Sequence, residues 1–329
     1  MRKRTAALVL FAAMAALILD SRCAADSAHA ALKLCTSTLI PTLFPLFVLS
    51  SMLVPGLKSL RIPCLSRLLG IPDGSEGMFL LGCAGGFPVG AACIAQAVEQ
   101  ASLSKADGER MLGLCSFCGP SFLFGVIASV LSLPEAVILF VLQLETALLT
   151  AVFWPHPSHG ACHTASETVS LPEAVRRSIS SMASVCAWVV LAGVAAGFLN
   201  RWFFPLLPPP LGVLLTGLLE LSNGVFALDP LPRDLRFLLC SVFVSFGGVS
   251  VLLQIGGLAA QAGLRMNQCA AQKILQSLLS AVLSLLYLRL GIWALFLPAA
   301  VLFGKIAVEI SGGLLYNSPR KDGIHDAVS

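Results

Sequence analysis

Apolar runs separated by short polar stretches dominate this chain. Runs near spanning length cover residues 5–19, 39–55, 111–131, 136–154, 182–200, 237–258, 274–291 and 293–315, the first of them short. A helix that crosses a bilayer takes about 20 mostly apolar residues, so the pattern predicts about eight transmembrane helices. Two further apolar stretches, 78–101 and 203–231, are interrupted, at Gly82-Cys-Ala-Gly-Gly-Phe-Pro-Val-Gly-Ala91 and at Glu220-Leu-Ser-Asn-Gly224. Two of the spans are broken as well, at Cys118-Gly-Pro-Ser-Phe-Leu-Phe-Gly125 and at Ser245-Phe-Gly-Gly-Val-Ser250. Lipid cannot satisfy the N–H and C=O groups freed by such breaks, which survive only where protein or a water-filled cavity meets them. Breaks in matching positions of two halves point to a central site between inverted repeats.

Lys and Arg decide how the interrupted stretches sit. With the N-terminus in the cytoplasm and both stretches re-entrant, Arg2, Lys3, Arg4, Lys58, Arg61, Arg67, Lys105, Arg110, Arg176, Arg177, Arg265, Lys273, Arg320 and Lys321 fall inside. Arg22, Lys33, Arg201, Arg233, Arg236 and Arg289 fall outside. Treating the stretches as full spans evens out this asymmetry, so the positive-inside rule favours hairpins. The expected fold is an all-α polytopic membrane protein, with about eight transmembrane helices plus two re-entrant hairpins in two inverted repeats. An N-terminal span (1–30) precedes a first repeat (31–154). A Pro-, Ser- and His-rich cytoplasmic linker (155–170) leads to the second repeat (171–291), a C-terminal span (292–316) and a polar, disordered tail (317–329). Both termini are then cytoplasmic. A polar, partly amphipathic stretch precedes each half, Ala31 to Ser37 and Leu171 to Ser181, with Pro172 suited to a first helical turn. Sequence identity between the halves is weak, so the repeat rests on element order.

Composition narrows the function classes. The 329 residues are 57% hydrophobic and 12% charged, with a mean hydropathy of +0.88. Soluble domains carry roughly 25% charged residues, so this is an integral membrane chain. The net charge of +4 is small and scattered, which excludes a nucleic-acid binder. Most of the eleven cysteines lie in apolar runs, where Cys packs as a small hydrophobe. Cys115 and Cys118 have redox-motif spacing but lie in a span, outside a βαβ context. His156, His159, Cys162 and His163 in the linker read better as a solvated loop than as a metal site. No nucleotide-binding glycine motif, H-E-x-x-H or nucleophile–base arrangement is present. The expectation is a non-enzyme with no cofactor and no metal.

The candidate binding residues sit at the breaks. Gly86 and Gly90 allow a tight reversal around Pro88, and a helix entering after that tip points its free N–H groups inward. Glu220, Ser222 and Asn223 form the second tip. A carboxylate in a membrane segment costs about 2.5–3.5 kcal/mol on insertion scales, so Glu220 should face a cavity, a partner or a proton, or else lie hydrated near the headgroups. Gly119, Pro120 and Ser121 interrupt one span; Ser245, Gly247, Gly248 and Gln254 lie at and beside the break in the other. Hydroxyl, amide and freed carbonyl groups there could hold a small polar solute or a coupling ion, or bond back to their own helices. Gln96 and Glu99 share a helical face and could line the same cavity. Lys305 and Glu309 have the spacing of an intrahelical ion pair.

At these motifs the chain resembles the sporulation integral membrane protein YlbJ family, within the wider nucleoside-recognition, or gate-domain, group. The resemblance is carried by Thr38-Leu-Ile-Pro-Thr-Leu-Phe-Pro-Leu-Phe47, Gly85-Gly-Phe-Pro-Val-Gly-Ala91, Cys118-Gly-Pro-Ser-Phe-Leu-Phe-Gly125, Leu219-Glu-Leu-Ser-Asn-Gly224 and Ser245-Phe-Gly-Gly-Val-Ser-Val-Leu-Leu-Gln254. It implies a role in sporulation, in formation of the spore cortex, and kinship with nucleoside transporters whose hairpin tips and broken helices form the solute site. By that analogy Glu220 and Asn223 contact the ligand, with the Gly86–Gly90 tip opposite. The family tip reads closer to Ser-Gly-Tyr-Pro-Met-Gly-Ala, so Gly85 and Phe87 stand here where two hydroxyls are expected. The leading expectation is a carrier-like protein working by alternating access on a small polar solute. The other is a non-transporting scaffold or partner subunit, a homo-oligomer or bound to a sporulation protein, using small-residue faces such as Ala192–Gly197 and Gly312-Gly313.

Overall fold

The computed structural model describes residues 2–57, 60–154 and 169–304. The linker, except Val169 and Ser170, lies outside the described residues, as do the Lys305/Glu309 pair, Gly312-Gly313 and the tail from Asn317. Helices form the whole architecture, with no strand among the described residues.

The first half opens with α1 (Arg2–Leu19), α2 (Ser21–Leu34) and α3 (Ile40–Leu57). Asp20 caps α2, its carboxylate accepting from the Cys23 N–H at 3.2 Å. The first helix boundary therefore falls at Asp20, and residues 21–30 continue into α3 through a π turn over Cys35–Leu39. A short α4 (Pro63–Leu69) leads to α5 (Glu76–Gly85) and α6 (Val89–Glu99). These have 10 and 11 residues, about 15 Å each at 1.5 Å per residue. Each is half the roughly 30 Å hydrocarbon thickness, and the two pack together as a helical hairpin turning at Gly86-Phe87-Pro88. Next come α7 (Lys105–Leu114), α8 (Pro120–Phe122) and α9 (Ala128–Val130), the last two merged through a π turn into one short helix, and then α10 (Leu133–Phe153).

The second half has the same order. It runs α11 (Leu171–Trp202), a hairpin of α12 (Pro209–Leu219) and α13 (Leu221–Phe226), the interrupted pair α14 (Arg233–Phe246) and α15 (Gly248–Gln261), and α16 (Asn267–Leu290). Pro172 does open α11. By length and composition five helical segments suffice to cross a membrane: Ser21–Leu57, Leu133–Phe153, Leu171–Leu206, Arg233–Gln261 and Asn267–Gly304. The span expected over 111–131 is two short helices, because the chain unwinds between Leu114 and Pro120. The spans expected over 274–291 and 293–315 run on as one helical segment to Gly304.

The two long opening segments pack against each other and run antiparallel. Asp20 meets Arg201 at 3.0 Å and Trp202 at 3.1 Å, Ser27 meets Gly197, Ala31 meets Gly193, and the Cys35 thiol points at the Cys186 carbonyl at 4.0 Å. Hence the small-residue face of α11 is filled by the chain's own α2. The hairpins enter from opposite ends of this bundle. At one end Gly77 of α5 abuts Leu57 and the Arg265 N–H donates to Glu109. At the other, where α12 begins, Arg233 pairs with Glu135 at 2.8 Å. α16 packs on α7, α10 and α14, so each half's last helix backs the other half's broken span.

Candidate functional site

Each hairpin tip is pressed onto the break of its own half. Gly86, at φ +72°, lies against the backbone of Gly119, where a Cβ would collide with the Gly119 Cα and N. Gly82 and Gly90 flank the Cys115 carbonyl so closely that a Cβ on either would overlap its oxygen. In the second half, Gly248 lies against the backbone of the α12–α13 tip, with a built Cβ 3.2 Å from the Leu221 nitrogen. The two halves meet at Phe87, whose ring covers Gly247.

Between the tips lies a cavity of about 200 Å³. Tip one contributes Gly85 and Phe87, break one Cys118, Gly119 and Ser121, tip two Glu220, Leu221 and Ser222, and the helix after break two Val251 and Gln254; Thr38 and Thr42 join from the opening helix. Three of the interruptions and the helix that follows the fourth therefore line a single space. Its wall is mostly apolar, with one carboxylate, one amide and several hydroxyls. One Glu220 oxygen accepts from the Asn223 N–H at 2.7 Å and so caps α13, leaving the other available. Thr42 donates back to the Thr38 carbonyl at 2.7 Å and Gln254 to Ser250 Oγ at 3.3 Å.

Other expected site residues lie beside the cavity instead of lining it. Gly86, Pro88 and Gly90 shape tip one, and Pro120 starts α8. Gly247 and Gly248 form the turn between α14 and α15, both at φ +85°. Ser245 is buried, with a hydroxyl that has no partner among the described residues. Asn223 is exposed, and its contribution to the site is the backbone N–H that holds Glu220. Gln96 and Glu99 line a different cavity, of about 150 Å³, with Ser50, Ser51, Arg177 and Ser178. Gln96 donates there to the Ser51 carbonyl at 2.9 Å. Val185, fully buried, lies between the two cavities along α11.

The sequence pattern did not reveal what satisfies break one. Gln143 of α10 accepts from the Cys118 N–H at 3.1 Å and donates to the Cys118 carbonyl at 2.9 Å. Lys273 of α16 donates to the Ser116 carbonyl at 2.6 Å, and Gln276 to the Gly113 carbonyl at 3.2 Å. Arg110 and Lys273, which the charge pattern places among the cations of the cytoplasmic side, are drawn into the protein interior. Both are buried, and Arg110 donates to the Leu69 and Gly70 carbonyls at the end of α4. The available signal was a polar stripe at helical spacing, Lys273, Gln276, Ser277, Ser280 and Ser284, in an otherwise apolar helix.

Among curated proteins the chain is similar to the sporulation integral membrane protein YlbJ of Bacillus subtilis (strain 168). The two are 22% identical over 314 aligned positions, covering 79% of this chain and 76% of the relative. This agrees with the family resemblance carried by the motifs. No family model and no solved structure matches the chain.

Proposed function

We propose that this membrane protein binds a small polar solute in the cavity between the hairpin tips and passes it across by alternating access. The observation that carries this reading is the single cavity lined by both tips and both broken spans. The antiparallel opening helices and hairpins from opposite ends support an inverted-repeat architecture, in which one half can rock against the other around a fixed site. The second polar cavity lies toward the end where α11 starts, beyond the buried Val185, in the direction a solute would take on opening to that side. Glu220, Gln254, Ser121 and Ser222 supply the polar contacts, and Phe87 and Phe122 the flat apolar walls. This mixture suits a nucleoside-like or cortex-related solute: a ring with hydroxyl, amide or amino groups. The proposed role is transport or recognition of that solute. By its similarity to a sporulation protein, the site of action is a membrane of the sporulating cell, and the motif resemblance adds a part in cortex formation.

The test is a thermal-shift screen of detergent-purified protein against nucleosides, nucleotides and peptidoglycan precursors. A ligand that binds the native state raises its apparent stability by mass action. Glu220→Gln keeps a capping acceptor and removes the charge; it abolishes the shift, whereas Asn223→Ala retains it. No shift with any compound, or a shift unchanged in Glu220→Gln, removes the site from Glu220 and favours the scaffold reading.

A further inference from the structure

Lys273 is the least expected residue in this interior. It is 2% exposed, seven residues into a helix long enough to cross the membrane. A cation at such depth ordinarily pairs with a carboxylate or lines water. Among the described residues Lys273 pairs with no carboxylate. Its Nζ donates to the Ser116 carbonyl at 2.6 Å and to Gln276 Oε1 at 2.8 Å, and it lies 5.1 Å from the centre of the Phe87 ring. Those partners are a carbonyl freed by an unwound span, an amide oxygen and an aromatic face. Unwound carbonyls of this kind are what broken-helix carriers offer to a free cation, and an aromatic face within about 6 Å also attracts positive charge.

We infer that Lys273 is a tethered cation, which fills from the second half the position a bound metal ion would take at the break of the first. It makes three connections at once. The Ser116 carbonyl belongs to break one, Phe87 to tip one and the cavity wall, and α16 to the other half. The ammonium therefore sets the position of the Phe87 ring and neutralises the partial negative charge of the unwound segment. Here the expected coupling ion is unnecessary at break one, because the chain carries its own. The inference holds whether or not the cavity takes a solute.

The test measures the thermal stability of the full chain in detergent at constant ionic strength. Wild-type protein melts at one temperature in sodium, potassium and choline chloride. Lys273→Met, which keeps most of the unbranched stem and removes the charge, melts several degrees lower. Lys273→Ala also melts lower and regains part of the loss in methylammonium chloride, with no gain in choline chloride. Three results overturn the assignment. Extra stability of the wild type in sodium shows that a free cation is bound after all, and this comparison needs no variant to fold. A Lys273→Met protein as stable as wild type shows that the charge is dispensable. Failure of methylammonium to rescue Lys273→Ala shows that the core needs the stem and not the ammonium.

Discussion

At the scale of single residues, the site depends on side chains that repair backbone. Gln143 satisfies both the N–H and the C=O of Cys118, and each buried group left unpaired costs about 1–3 kcal/mol. Gln143→Ala should therefore lower the melting temperature by roughly 5–15 °C for a chain of this size. Gln276→Ala, which removes one 3.2 Å bond to the Gly113 carbonyl but also the Lys273 acceptor, should fall short of that. Differential scanning fluorimetry of the two variants checks the order, and equal or reversed losses would show that Gln143 is not the main support of break one. The sequence showed where the backbone had to fail, since Gly, Pro and Ser inside apolar runs are local signals. It did not show which side chain makes each repair. Gln143 lies 25 residues from Cys118 and Lys273 lies 157 from Ser116, and nothing local links such partners. Lys273 sits just before the apolar run 274–291 and so counts as an end-of-span cation, while its burial depends on a partner far away in sequence.

At the scale of elements, the pairing of α2–α3 with α11 sets the frame in which the hairpins sit. Small residues allow the close approach: Gly193 and Gly197 receive Ala31 and Ser27. The order of the elements was legible from hydropathy, and so was the position of both tips, because Gly86-Phe87-Pro88 and Glu220 interrupt apolar stretches and the helices break there. The union of α2 with α3 was not legible. The pattern groups residues 21–30 with the N-terminal span and sets Ala31 to Ser37 apart as a polar stretch, yet both join one helical segment with α3, and α11 covers one of its faces. The antiparallel register makes a direct prediction. Cys35 and Cys186 face each other, the thiol 4.0 Å from the opposing carbonyl, so mild oxidation should join them. Peptide mass spectrometry of the oxidised chain should recover a Cys35–Cys186 link and none between Cys35 and Cys240, which is buried in a different core cluster. A Cys35–Cys240 link, or no link at Cys35, would mean that the two opening helices are displaced from this register.

At the scale of the whole molecule, what remains is which end faces the cytoplasm. One end carries Arg67, Lys105, Arg176, Arg177 and Arg265, next to the start of the first hairpin; Arg201, Arg233, Arg236 and Arg289 lie toward the other. Removing the buried Arg110 and Lys273 narrows the tally from fourteen against six to twelve against six, which keeps the bias. The positive-inside rule then puts the first hairpin's entrance in the cytoplasm and the second hairpin's entrance on the far side. A native reporter is already present, since Cys64 in α4 is exposed at the basic end. Leu206, 81% exposed in the turn before α12, marks the opposite end. With a membrane-impermeant maleimide, intact cells should label Leu206→Cys and spare Cys64. Inside-out vesicles should reverse the result. Peptide-level readout separates these sites from the buried thiols, which should stay unlabelled from both sides. Labelling of Cys64 in intact cells would invert the molecule, and with it the direction from which the Glu220 cavity and the smaller Ser50–Ser178 cavity are reached. Labelling of both sites from one side would exclude opposed entrances, and the alternating-access reading would lose its geometric basis.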